Sequence, residues 1–289
     1  MHSGPPAAPR LRSNAATVDV EEWFHICGLG ADLTPDQWPV LESRVVSTTR
    51  WLLDDLADAG ARATFFVVGW VAERYPELVA DILSAGHDVG SHGHLHVRAY
   101  DLGPAAFRRD LQRSADALRD AGAPPVHAYR APEWSINGRS MWALDVLAEE
   151  GFTVDASMAP VRLVGDVSFP RAPHWRTTRH GPIMEVPPMV AERFGQVMPL
   201  GWGWGLRMSS PSRVLLSIEQ ANGAGVPSVL TVHPWEIDPD PPRVSLPARL
   251  RFAHYFRLSG FRQRLSEILR RGDFGALSDL HAVRAPRPH

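Results

Sequence analysis

Three histidines fall within five residues in the stretch Ser91-His92-Gly93-His94-Leu95-His96. Neutral imidazole is the commonest protein ligand for a transition metal. His92 and His96 stand four apart, and on a helical turn residues at that spacing share a face. The pair could hold one edge of a metal, with His94 directed elsewhere. Such a pair recurs by chance, so a ligand set needs a further group. Asp19 and Glu21 supply candidates, because they close an apolar run, Ala15 to Val20, that reads as a short buried strand. Side chains alternate along a strand, so Asp19 and Glu21 share one face while Val20 and Glu22 take the other. Two imidazoles and one carboxylate leave coordination positions open, as a catalytic zinc requires. The second carboxylate could then act as a base.

The elements that must position these groups alternate along the chain. Apolar strands are expected at 15–20, 63–68, 87–90, 126–130, 152–155, 183–186 and 227–233. Helical stripes fall between them, at 41–59, 77–85, 104–120, 139–150 and 212–222, with a last one at 248–271. Residues 156–210 read as irregular apart from the strand within them. This alternation argues for α/β architecture with a parallel sheet or barrel. In such folds active sites form at the C-terminal ends of the strands. Arg130, Asp155 and His233 end three of them, so they would converge with Asp19, Glu21, His92 and His96 on one mouth.

Composition narrows the partners. The formal net charge is -2 and the pI about 6.7, which points to neither nucleic acid nor an anionic membrane. The single cysteine, Cys27, excludes an internal disulfide and is read as a packing residue. The stretch Met1 to Asn14 has no apolar core of a secretory signal, and no apolar run is long enough to span a membrane. A cytoplasmic location is therefore expected, without membrane insertion. Ten tryptophans are many for 289 residues. Partly exposed rings would suit the C–H faces of a sugar. The stretch Gly201-Trp202-Gly203-Trp204-Gly205 reads as a sugar platform presenting two of them, the competing reading being a plain flexible loop.

Four motifs together resemble the polysaccharide deacetylases, the NodB-homology proteins of carbohydrate esterase family 4. They are Thr17-Val18-Asp19-Val20-Glu21-Glu22-Trp23-Phe24-His25, the histidine stretch, Tyr129-Arg130-Ala131-Pro132 and Leu230-Thr231-Val232-His233-Pro234-Trp235-Glu236. Val-Asp-Val-Glu-Glu with His-Pro-Trp-Glu is most similar to the branch associated with exosortase and exopolysaccharide loci. So are the Gly-rich aromatic segment ending in Arg207 and Phe252-Ala253-His254-Tyr255. The resemblance implies a distorted (β/α) barrel of about seven parallel strands. It implies one catalytic domain over 15–280, with flexible tails at 1–14 and 281–289.

The implied reaction is metal-dependent removal of N-acetyl groups from amino sugars of a polysaccharide or oligosaccharide. The implied cofactor is one divalent ion, expected to be zinc, on Glu21, His92 and His96. Many relatives carry two adjacent aspartates in the first motif; Val20 stands at the second place here, and Glu22 is the weaker alternative ligand. Asp19 would be the base, fixed by Arg130, and His233 the general acid, oriented by Asp155. The backbone N–H of Glu133 would donate to the oxyanion, while its carboxylate attracts a substrate amino or hydroxyl group. Trp23, Trp134, Trp202, Trp204 and Trp235 would bind substrate. Two other readings stand beside this one: an allantoinase-like hydrolase of small cyclic amides, and a carbohydrate-binding protein that has lost catalysis.

Overall fold

The computed structural model describes residues 12–27, 33–193 and 195–284. The first half runs β1 (Asn14–Val20), α1 (Val45–Asp58), β2 (Ala63–Val67), α2 (Gly69–Arg74), α3 (Pro76–Ser84), β3 (Asp88–Ser91), α4 (Ala99–Leu102), α5 (Pro104–Asp120), β4 (Ala128–Tyr129) and α6 (Trp142–Glu149). β5 (Val154–Asp155), β6 (His174–Thr178), β7 (Gly181–Glu185), β8 (Val190–Arg193), β9 (Gln196–Pro199) and α7 (Gly203–Met208) follow. The chain continues through α8 (Pro211–Gly223), β10 (Val229–Val232), α9 (Ala248–Tyr255), α10 (Phe261–Arg271), β11 (Phe274–Gly275) and α11 (His281–Arg284).

One sheet has the order β10-β1-β2-β3-β4-β5-β7-β6, with β11 also against β1. From β10 to β7 every pairing is parallel. That path of seven strands, curled into a half-barrel with helices outside it, fits the distorted barrel expected. Irregular backbone joins its two ends: Met189 N–H donates to Val229 O at 3.0 Å, and Thr231 N–H donates to Gly201 O at 2.8 Å. Parity works as the alternation requires. Val18, Val20, Phe65 and Val67 pack with Leu52, Leu56, Leu78, Ile82, Leu265 and Ile268 in the layer between sheet and helices. Thr17 and Asp19 face inward, where both meet Arg130.

Three expectations change. The edge strand β6 pairs antiparallel with β7 and was not foreseen, because His-Trp-Arg-Thr-Thr is half-exposed and carries no apolar run. The last helical stripe is two helices, broken where Arg257 and Gly260 take left-handed φ values of 55° and 69°. The C-terminal tail does not begin at 281, since α11 extends to Arg284; Arg12 also bridges Leu280, ahead of β1. The outer parts of both expected tails, 1–11 and 285–289, lie outside the described residues. Among the described residues no helix is long and apolar enough to cross a membrane.

Candidate active site

The C-terminal ends of β1 and β3 bring Glu21, His92 and His96 together, with one potential ligand atom of each within 4.8 Å of the others. No helical turn does this, contrary to the spacing argument. Residues 92–98 form a loop, and His96 swings round through a left-handed φ of 52°. His94 is directed away, with Nε2 3.8 Å from Glu73. His92 Nδ1 lies 2.8 Å from Arg130 O, so it carries the proton and donates to that carbonyl. Nε2 is left as a lone pair facing Glu21 Oε2 at 3.8 Å. Burial is the main force holding His92 down at about 4, so the ring is neutral. Glu21 Oε1 accepts from Trp235 Nε1 at 3.0 Å. Its Oε2 is buried without a hydrogen-bond partner, 2.5 Å from His96 Nε2. Burial raises the Glu21 carboxyl, but His96, His233 and His92 outweigh it and hold it below the ordinary range. A buried carboxylate oxygen facing two imidazole nitrogens suits a divalent cation.

Glu22 has other work. Its carboxylate accepts from Ser43 Oγ, from Arg44 N at 3.1 Å and from Val45 N at 3.3 Å, at the start of α1. Cys27 Sγ donates to His96 O at 3.2 Å and lies 3.6 Å from His96 Nδ1, and burial pushes its thiol up. That state fits a packing thiol rather than a nucleophile.

Asp19 Oδ1 accepts from Arg130 Nη1 at 2.8 Å. Arg130 is buried between the rings of Phe66 and Trp134, at 4.4 and 4.6 Å, and also donates to Thr17 Oγ1 and Ala156 O. Asp19 Oδ2 faces His92 Nε2 at 3.9 Å and His233 Nε2 at 3.8 Å. His233 is not oriented by Asp155, which corrects the expectation. Its Nδ1 lies 2.8 Å from Glu236 Oε2. Asp155 instead bonds Ser157 Oγ at 2.5 Å and pairs with buried Glu185, because β5 and β7 are neighbours deep in the sheet. Burial lowers His233, but Glu236, Glu21 and Asp19 outweigh it and raise it to about 9, well above the unperturbed 6.5.

A cavity of about 250 Å³ opens over these groups. Trp134, Trp202, Trp204 and Trp235 line it, together with Glu133, His25 and His254. Trp23 does not: it is buried among Phe24, Trp38 and Leu258, and its Nε1 donates to Glu42 O at 2.8 Å. Gly201–Arg207 is no flexible loop. Trp202 bridges Thr231 and packs 5.2 Å from Trp134. The glycines admit close backbone: a Cβ on Gly205 would lie 2.2 Å from Pro199 O, and one on Gly201 2.7 Å from Val229 O. Trp204 is the partly exposed ring of the pair. Glu133 and Trp134 take left-handed φ values of 51° and 55° at the mouth, a conformation uncommon for non-glycine residues. The Glu133 carboxylate is already held by Arg98, at 2.7 and 2.8 Å.

Sequence reasoning missed the roles of Glu236, Arg207 and His254, though all three lay in segments it singled out. The signal for Glu236 was its position three residues after His233, behind a proline that starts a 3₁₀ turn.

The polysaccharide deacetylase family model matches residues 32–154, and a domain of unknown function, DUF3473, matches 156–282. A peptidoglycan-N-acetylglucosamine deacetylase of Bacillus cereus is 29% identical over 136 residues, covering 43% of this chain and 47% of that protein. A chitooligosaccharide deacetylase of Bradyrhizobium is 33% identical over 99 residues, covering 34% of this chain and 42% of that protein. The chain thus matches less than half the length of these curated relatives. The crystal structure of a putative polysaccharide deacetylase from Mycobacterium smegmatis aligns over 100% of this chain and 98% of its own, with TM-score 0.61 and 22% identity. A family 4 carbohydrate esterase pseudoenzyme from Bacillus anthracis aligns over 94% of this chain and 66% of its own, with TM-score 0.51 and 12% identity. Those likenesses concern the fold alone; by sequence, residues 32–154 carry the polysaccharide deacetylase domain that the family model describes.

Proposed function

We propose that this protein is a metal-dependent deacetylase that removes N-acetyl groups from amino sugars of a polysaccharide or oligosaccharide, releasing acetate. The observation that carries this is the meeting of Glu21, His92 and His96 beside Asp19 and His233 in one tryptophan-lined cavity. Glu21, His92 and His96 would hold one divalent ion, zinc by the donor set. When bound, it would polarise the acetamide carbonyl and acidify water. Asp19, anchored by Arg130, takes the proton of the attacking water. The Glu133 N–H is the proposed donor to the developing oxyanion. His233 Nε2 gives its proton to the departing nitrogen. Trp134, Trp202, Trp204 and Trp235 give the sugar apolar faces, and the cavity is open to solvent, which favours a glycan over a small cyclic amide. The match to DUF3473 is consistent with the exopolysaccharide-locus branch that the motifs resemble.

The test is acetate release from N-acetylated oligosaccharides, with and without chelator. Asp19→Asn and His233→Ala should each lose roughly 10²–10⁴-fold. An aryl acetate leaves as a phenoxide and needs little protonation, so it should spare His233→Ala but not Asp19→Asn. Glycan binding without acetate release from the wild type would mean a binding protein. Acetate release that survives both chelation and His92→Ala would remove the metal from the reading.

A further inference from the structure

Two charged side chains, Glu236 and Arg207, lie behind His233, outside the cavity. Glu236 is 0% exposed and belongs to the 3₁₀ turn Pro234–Ile237. Its Oε2 accepts from the backbone N–H of His233 at 3.1 Å and lies 2.8 Å from Nδ1. An ionised carboxylate only accepts, so the Nδ1 position carries hydrogen. Nε2 is then the pole that faces Asp19 Oδ2 and Glu21 Oε1, each at 3.8 Å.

The other Glu236 oxygen, Oε1, sits 2.8 Å from Nε of Arg207, which is 1% exposed. The N–H is not aligned on that oxygen, so the contact is an ion pair rather than a directed hydrogen bond. Arg207 leaves the end of the Gly-Trp-Gly-Trp-Gly segment and reaches α9. Its terminal nitrogens donate to the carbonyls of Ala253, His254 and Phe256. The guanidinium therefore faces protein and does not line the cavity. The helix turn it holds carries His254, whose ring stacks 4.1 Å from Trp235. Trp235 in turn stacks 5.2 Å from His233, at 26°. His233 is thus fixed at Nδ1 by Glu236 and on one face by Trp235, and Arg207 anchors both supports.

We propose that Glu236 and Arg207 are positioning residues for His233: Arg207 anchors Glu236, and Glu236 fixes the tautomer and aim of the imidazole so that Nε2 delivers its proton to the leaving nitrogen. This rests on His233 being the acid of the proposed deacetylation. In that step the C–N bond breaks, an N–H bond forms, and the imidazolium becomes neutral imidazole with hydrogen on Nδ1. Nothing is oxidised or reduced. The arrangement also gives the three sequence segments around Arg207, Glu236 and His254 one common task.

Glu236→Gln tests it, because the shape is kept and Arg207 retains its three carbonyls. Hydrolysis of an N-acetylated oligosaccharide should fall roughly 10–100-fold, the range for lost support of a functional side chain. Hydrolysis of an aryl acetate should change little. In a His233→Ala background Glu236→Gln should cost nothing further, since the group it positions is gone. Arg207→Lys should show the same selective loss in milder form; if it does not fold, Glu236→Gln carries the test. Equal losses on amide and ester, or a further loss in the His233→Ala background, would overturn the proposal. Ring-nitrogen NMR of His233, taken above pH 9 where the ring is neutral, supplies a readout without substrate: hydrogen on Nδ1 in the wild type and a redistributed tautomer in Glu236→Gln. Unchanged ring shifts would overturn it too. A wild type that releases no acetate from any glycan would sink the deacetylase reading, while the ring shifts still decide the positioning.

Discussion

Glu21 and Glu22 are adjacent carboxylates with opposite work, and exchanging them experimentally separates metal binding from folding. Glu21 Oε2 faces His92 Nε2 at 3.8 Å and His96 Nε2 at 2.5 Å, so Glu21→Gln should remove a ligand. Glu22 accepts the first backbone donors of α1, Arg44 N and Val45 N, at 3.1 and 3.3 Å. Loss of such a cap costs about 0.5–2 kcal/mol. A ligand present at about a hundred times its Kd stabilises by about 2.7 kcal/mol. At roughly 2–4 °C per kcal/mol for a chain of this size class, zinc should raise Tm by roughly 5–10 °C. The assay is thermal unfolding in chelator and in excess zinc. Wild type should show the zinc increment. Glu21→Gln should lose it, without the cap loss in chelator. Glu22→Ala should start lower in chelator by roughly 1–8 °C and keep the whole increment. If Glu22→Ala loses the increment and Glu21→Gln keeps it, the parity argument for β1 is wrong. If wild type shows none, the metal assignment fails.

Trp204→Ala should weaken hydrolysis of long glycans several-fold more than that of a single acetylated sugar, because remote stacking supplies binding that a short substrate cannot use. Trp23→Ala should lower stability by about 3–5 kcal/mol and leave the chain-length preference unchanged; a shift in that preference would return Trp23 to the substrate site. His87 accepts from Ala63 N–H at 3.2 Å, and burial, aided by Arg62, holds it at about 4 against 6.5 unfolded. Below pH 6.5 the unfolded chain therefore binds the extra proton, and stability falls as pH drops toward 4, by at most about 3 kcal/mol from this group. His87→Asn should flatten that part of the stability–pH curve, and an unaltered slope would refute the assignment.

What the sequence made legible followed from short-range rules. Alternation put Asp19 and Glu21 on one face and Glu22 on the other, and all three behave accordingly. Strand ends predicted the mouth, since β1, β3, β4 and β10 each end in a site residue or next to one. The failures came where tertiary partners decide. His92 and His96 meet through one left-handed residue, not through helical spacing. Asp155 ends its strand as expected, but the buried carboxyl it pairs with, Glu185, comes from β7, which no local pattern near Asp155 reveals. Trp202 looked exposed because glycines flank it. Gly201 and Gly205 of that segment serve the opposite end, letting backbone press against Val229 and Pro199.

The boundary between the two matched sequence regions falls at β5, in the middle of the sheet, and this bears on how the site is assembled. Regions 32–154 and 156–282 are recognised separately as sequences, yet β10 from the second pairs with β1, and β7 from the second pairs with β5. The proposed ligands His92 and His96 come from the first region, while His233, Glu236 and Arg207 come from the second. Asp19 and Glu21 precede both, on the strand flanked by β2 of one and β10 of the other. A cut at 155 would leave β1 without β10 and His92 without His233 opposite it. The water-activating side and the proton-donating side of the proposed reaction therefore meet at β1, where Asp19 faces His92 at 3.9 Å and His233 at 3.8 Å.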